Sequence, residues 1–297
     1  MPSVSKQLPS KKPSTQVNGS ILSRGIAVEE LQEDYLKFCI YGQNRVGKTT
    51  LACMFPKPLL LICFEPSMSG GAKSVKKIAG VTYLQIKTLK EATQLAKELK
   101  NDRTYKTHVL DSATSYQDII LQEILDLPEV PEQLNWGLVS RDQYRERSEK
   151  TREALRPFLN LQANTIVLAK ERDHNPPDRD KPKMLRGFQV ESFFASDLGG
   201  ATVGWLHDAC DYVARLYMEK ETVEKITMLN VNGKQKERRE VVETGKVVRR
   251  LRSMYHPNFA AGFRSENPEA VPEYIEANTP QEMYEKTMKV IRGIKLT

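Results

Sequence analysis

Apolar residues along the chain follow two rhythms. Short runs rich in strand formers at 36–41, 58–65, 107–112 and 165–169 predict strands, and the longest, Leu59-Leu60-Leu61-Ile62, has the character of a strand buried on both faces. A further short strand is predicted over 81–86. Between them the spacing becomes helical. Leu89, Ala92, Leu95, Ala96 and Leu99 predict an amphipathic helix over 89–100. Ile119, Ile120, Ile124 and Leu125 mark a second helix, opened by Ser112 or Thr114. Residues 138–161 alternate charges at i,i+4, which predicts a helix with a solvated, ion-paired face. Strands alternating with helices predict an α/β fold with a mainly parallel central sheet.

The last third of the chain reads differently. Residues 173–204 carry three prolines and four glycines, a stretch too long for a plain connection and so functional or mobile. A strand over 210–218, an antiparallel β-hairpin over 226–242 on Asn232-Gly233 and a strand over 247–252 come next. A terminal helix is predicted over 281–292 after an irregular stretch. Residues 1–24 have no acidic group and few apolar ones, which predicts a disordered basic tail, solubilising or nucleic-acid-binding. The expected domains are this tail, a core over 25–260 and a C-terminal extension over 261–297.

Composition narrows the class. With 39% hydrophobic and 28% charged residues the chain can bury a full core. It contains no run of eighteen apolar residues and no apolar leader at its N-terminus, so the expectation is a cytoplasmic protein without a membrane partner. Four cysteines without metal-ligand spacing are expected as buried thiols. The net charge of +7 is a modest bias toward polyanions.

One stretch carries specific chemistry. Gly42-Gln43-Asn44-Arg45-Val46-Gly47-Lys48-Thr49 fits G-x-x-x-x-G-K-[ST] without mismatch, between a predicted strand and a helix that runs through Thr50 to Phe55. Such a loop wraps phosphates with backbone N–H groups and aims a helix N-terminus at them. Lys48 is the candidate for the terminal phosphates and Thr49 for Mg²⁺, with ATP as the expected ligand. Three acids close predicted strands: Glu65, Asp111 and Glu171. Asp111 is the natural second Mg²⁺ contact, made through water.

These features resemble the RecA-like P-loop ATPases. In the AAA+ class a catalytic Glu directly follows the metal-binding Asp, whereas here Ser112 follows Asp111, and Arg45 stands where that class favours glycine. The RecA-like pattern instead places a Glu at the end of the strand after the P-loop helix and an Asp-Ser at the metal site. The resemblance therefore implies Glu65 as general base, with Lys170 and Glu171 as candidate γ-phosphate sensors. It also implies a mobile DNA-binding loop within 173–204, with Lys181, Lys183 and Arg186 as candidates. Arg249, Arg250 and Arg252 are similar to a basic strand that reaches a neighbour's nucleotide. Phe188, Phe193, Phe194 and Trp205 either stack on bases or pack beneath the loop.

The short chain is similar to the minimal RecA-fold ATPases of bacteriophages, which include single-strand annealing proteins. That implies single-stranded DNA as partner, a homo-oligomeric ring or filament with ATP at its interfaces, a single-strand-binding protein as a further partner, and a bacterial host cytoplasm. The other function classes are a motor or switch ATPase of the helicase or packaging type, and a regulatory ATP-binding module.

Overall fold

The computed structural model describes residues 35–65, 71–127, 139–174, 183–185, 188–190, 193–231 and 234–296. The expected tail, and within 173–204 the candidates Lys181 and Arg186, lie outside these residues; at Lys183 and Phe188 only the backbone is described.

One half of the central sheet is parallel throughout. Strands β1 (Lys37–Gly42), β2 (Leu59–Cys63), β3 (Val81–Gln85), β4 (Thr107–Asp111) and β5 (Asn164–Asp173) form the order β3-β2-β4-β5-β1, all parallel. Burial explains the sequence pattern: β2 and β4 are buried at every position and β1 at all but its first. Helices cover both faces. α3 (Leu89–Leu99), α4 (Ala113–Leu125), α5 (Arg141–Leu159) and α6 (Gly200–Ala209) pack over one core layer containing Phe64, Leu110, Tyr116 and Phe158. α1 (Lys48–Ala52) and α7 (Pro280–Ile291) close the other, around Phe38, Leu51, Phe55 and Ile275.

β6 (Lys183–Leu185) and β7 (Phe188–Val190) form a separate antiparallel pair. Beyond β1 the main sheet continues through β9 (Tyr212–Val231), parallel to β1, then β10 (Lys234–Arg252) and β12 (Tyr274–Ala277), each antiparallel to its predecessor. β9 and β10 are single long strands where the sequence predicts separate pieces. Thr244-Gly245, expected to separate two strands, is a bulge: the register shifts between Glu243 and Val247 and Gly245 has φ +79°. Only the sheet-side ends of β9 and β10 pair with β1 and β12, so the remainder is a two-stranded arm with Val223, Val241 and Val242 exposed.

Two expectations are corrected. The Gly-rich end of 173–204 contains α6, because Thr202, Val203 and Leu206 bury one side of it, and tertiary packing overrides the glycines' local preference. The segment expected as an extension after residue 260 is part of the core. β11 (Gly262–Phe263) pairs with β9, β12 completes the sheet edge, and Met283, Val290 and Ile291 of α7 are buried. Ile275→Ala should therefore destabilise the whole fold by about 2–5 kcal/mol, since Ile275 is fully buried beside Leu251. Denaturant unfolding checks this, and an unchanged midpoint would contradict the placement of Ile275 in the core.

Candidate nucleotide-binding site

Strand register assembles the site. β1 and β5 align Gly42 with Lys170; β5 and β4 align Leu168 with Asp111; β4 and β2 align Asp111 with Cys63. The residues just past these positions leave the same carboxyl edge of the sheet, where ligands of such folds bind. They line a cavity of about 620 Å³ that includes Asn44, Arg45, Gly47, Lys48, Thr49, Thr50, Glu65, Asp111, Ser112, Lys170 and Arg249.

The P-loop's two glycines serve different ends. A side chain at Gly42 would collide with the Leu216 carbonyl of β9, 2.1 Å from the ideal Cβ, so this glycine permits close approach of two backbones. Gly47 caps α1 in the left-handed region, with φ +97°. Arg45, at the loop's apex, also has a left-handed backbone, φ 66°, a conformation that costs a non-glycine residue about 1 kcal/mol. Val46 is buried and anchors the loop to the core, while Gln43 meets Lys48 through its carbonyl.

Three polar groups converge at the helix start. The Thr49 hydroxyl donates to Asp111 Oδ2 at 2.8 Å. Lys48 Nζ donates to the carbonyls of Gly42 and Gln43, both at 2.8 Å. Burial pushes the Lys48 ammonium down to about 8, with Asp111 acting in the opposite direction. Burial likewise raises the Asp111 carboxyl, and the Thr49 hydrogen bond opposes it. A buried carboxylate and a hydroxyl are hard oxygen donors that fit Mg²⁺, an ion that keeps much of its coordination on water and phosphate. Bound there, the ion would neutralise charge on the phosphates.

Glu65 lies two residues past β2. The Phe64 N–H donates to the Asp111 carbonyl at 2.8 Å and the Gln85 side-chain amide donates to the Glu65 carbonyl at 3.1 Å, which ties its backbone to both flanking strands. Ser112 follows a cis peptide bond and caps α4, its Oγ accepting from the Ser115 N–H. No carboxylate therefore follows Asp111 directly. Gly71, at the start of the short helix α2 (Gly71–Val75), was not singled out by motif reasoning. A Cβ there would lie 2.3 Å from Thr49 Oγ1, so only glycine lets this backbone pass the Thr49 hydroxyl.

The other candidates separate. Lys170 lines the cavity, and its N–H is held by Thr114 Oγ1 at 3.1 Å. Glu171 is not among the lining residues. Arg215 grips it with two bonds of 2.6 and 3.1 Å, and both side chains are largely buried. Arg250 is bound to Glu219 and Glu276 and lies 4.3 Å from the Tyr274 ring centre. Arg252 is buried and paired with Glu273. These two arginines, expected to reach a neighbour, are held by carboxylates of their own chain. Arg249 reaches the P-loop of the same chain, Nε to the Val46 carbonyl at 3.0 Å. Phe194 stacks on Phe259, and Phe193 and Trp205 pack against the core. The charged helix α5 has solvated pairs such as Arg145–Glu149, yet Arg147 is half-buried near Asp118.

ATP phosphates favour the charged form of Lys48, so binding should draw a proton onto it when the free group is partly neutral. At pH 8.5 about three-quarters of a proton is expected to be taken up, and at pH 7 about a tenth. Calorimetry in two buffers of different ionisation enthalpy measures this. Lys48→Arg should abolish the difference between the two pH values; equal uptake at both, or no effect of the substitution, would contradict the assignment.

A family model described as "AAA domain" matches residues 34–261. A comparison with curated proteins found no match. Among the described residues no helix is long and apolar enough to cross a membrane.

Proposed function

Because the chain belongs to a family of AAA domains, which are P-loop ATPases, we propose that it is a Mg²⁺-dependent ATPase of the RecA-like type that acts on single-stranded DNA in recombination or strand annealing. One observation carries the catalytic part. Glu65, Lys48, Thr49, Asp111 and Lys170 line one cavity, and the position after Asp111 is a serine that caps a helix. Glu65, two residues past β2, is the other carboxylate in the cavity lining among the described residues, which supports it as the base.

The roles follow from position. The P-loop amides and Lys48 hold the phosphate chain. Thr49 and Asp111 supply the oxygen donors for the metal. Glu65 orients the attacking water and accepts its proton. Lys170, in register with Gly42, places a cation near the terminal phosphate, where charge develops during transfer.

The DNA part rests on placement and charge. β5 runs three residues beyond Lys170, to Asp173, and the chain returns at β8 (Phe194–Ser196), paired with β5. The segment between them contains Lys181, Lys183 and Arg186. Both its ends leave the sheet at the Asp173–Phe194 pair, three residues beyond Lys170, which lines the cavity. A segment so attached is suited to respond to the terminal phosphate, and by linkage DNA would tighten ATP binding. Ring or filament assembly belongs to the same proposal, but Arg250 and Arg252 are committed within the chain, so an interface would have to draw its cation from elsewhere.

Lys48→Ala should abolish measurable ATP binding, while Glu65→Gln should bind ATP and lose turnover by about a hundredfold or more. Normal hydrolysis by Glu65→Gln would move the base elsewhere. Turnover should rise with single-stranded DNA, and annealing should exceed unwinding when both are assayed together. Neutralising Lys181, Lys183 and Arg186 should weaken DNA binding and flatten its salt dependence. Unchanged affinity and salt slope in that triple variant would remove the segment from the DNA site, and DNA-independent turnover with directional unwinding would favour a motor.

A further inference from the structure

Arg249 stands apart from its neighbours on β10. Adjacent residues of a strand face opposite sides, so Arg249 shares a face with Leu251 and not with Arg250 or Arg252. Leu251 is buried in the layer beneath α1, beside Val46 and Leu216. Two residues along the same face, Arg249 arrives at the P-loop. Its Nε donates to the Val46 carbonyl at 3.0 Å, and its guanidinium lies flat over Gly47, with Nε, Cζ and Nη2 3.5–3.6 Å from where a Cβ would stand.

The pairing pattern is equally distinctive. Arg250 and Arg252 each have carboxylate partners. Among the described residues no carboxylate pairs with Arg249, and its side chain lines the same cavity as Lys48, Thr49 and Asp111. An arginine has five N–H donors in a rigid fork. The bond to Val46 uses one and fixes the fork over the loop, which leaves the terminal nitrogens at a site built for an anion.

Given the ATP-binding role proposed above, we propose that Arg249 is a same-chain phosphate ligand: its guanidinium binds the phosphate chain of the nucleotide held by its own P-loop. The cation near the nucleotide is then resident, and nucleotide affinity does not depend on docking with another copy. The Val46 bond pre-positions the fork, so little side-chain freedom is lost when the phosphate arrives.

The test is titration of a fluorescent ATP analogue with the full chain and with Arg249→Ala, Arg249→Gln and Arg249→Lys, at several protein concentrations. The Ala and Gln variants should bind about ten- to a hundredfold more weakly, by the same factor at every concentration, because a charge-assisted contact to phosphate is lost. The Lys variant should keep most of the affinity. Glutamine is the informative change, since its amide can still brace the Val46 carbonyl but carries no charge. The thermal midpoints of the nucleotide-free variants should match that of the parent. Mixing an Arg249→Ala chain with a Lys48→Ala chain should restore neither binding nor turnover.

Parent-like binding by Arg249→Gln would reduce Arg249 to a brace for the loop and overturn the proposal. Recovery in the mixture would place the arginine's action across an interface, with the same consequence. Failure of the parent chain itself to bind the analogue would overturn the ATPase assignment and this inference together, an outcome distinct from either.

Discussion

The hydrogen bond from Thr49 to Asp111 joins the two halves of the site. Thr49 belongs to the loop and helix that follow β1, and Asp111 closes β4, which is separated from β1 by β5. Their contact at 2.8 Å requires that the strand inserted between them keep its register, that α1 begin at the mouth of the loop, and that Gly71 pass without a side chain. Each requirement is met by packing elsewhere. β4 and β5 are buried along the rows that set their register, and α1 is seated on a core that includes Tyr212, Leu251 and Ile275. The distant C-terminal strand β12 thus supports the same layer that positions the P-loop helix.

Electrostatics at this junction are poised for a highly charged ligand. Burial disfavours charge on both Lys48 and Asp111 in the protein alone. Under the proposed function, polyphosphate with its metal ion would supply a partner for each: anion for the ammonium, cation for the carboxylate. Lys170 and Arg249 add positive charge from opposite sides of β1, one on β5 and the other on β10. The cavity gathers cations from three separate stretches of chain, whereas Glu171, one residue from Lys170, is neutralised by Arg215 and kept out of the lining.

Much of this was legible in the sequence, for physical reasons. Buried parallel strands leave unbroken apolar runs, and β1, β2, β4 and β5 were visible as such. The P-loop needs fixed residue types at fixed spacing, so its position and its helix could be read directly. What was not legible depends on long-range contact. α6 hides behind Gly199, Gly200 and Gly204, since its helicity comes from burying Thr202, Val203 and Leu206. β12 is too short to be distinguished from its irregular surroundings until it pairs with β10. The basic run at 249–252 showed charge without direction. Only strand alternation and the carboxylates of Glu219, Glu273 and Glu276 separate Arg249 from its two neighbours.

The proposed ATPase needs Thr49 and Asp111 to act as one metal site rather than as two independent contacts. A double-mutant cycle on the Mg²⁺ dependence of ATP affinity measures this directly, with Thr49→Val, Asp111→Asn and the combined variant. Magnesium should tighten ATP binding in the parent chain. Each single substitution should remove most of that gain, and the combined variant should lose little more, because the second group has nothing left to hold. Losses that simply add, or a Mg²⁺ effect that survives both substitutions, would contradict it.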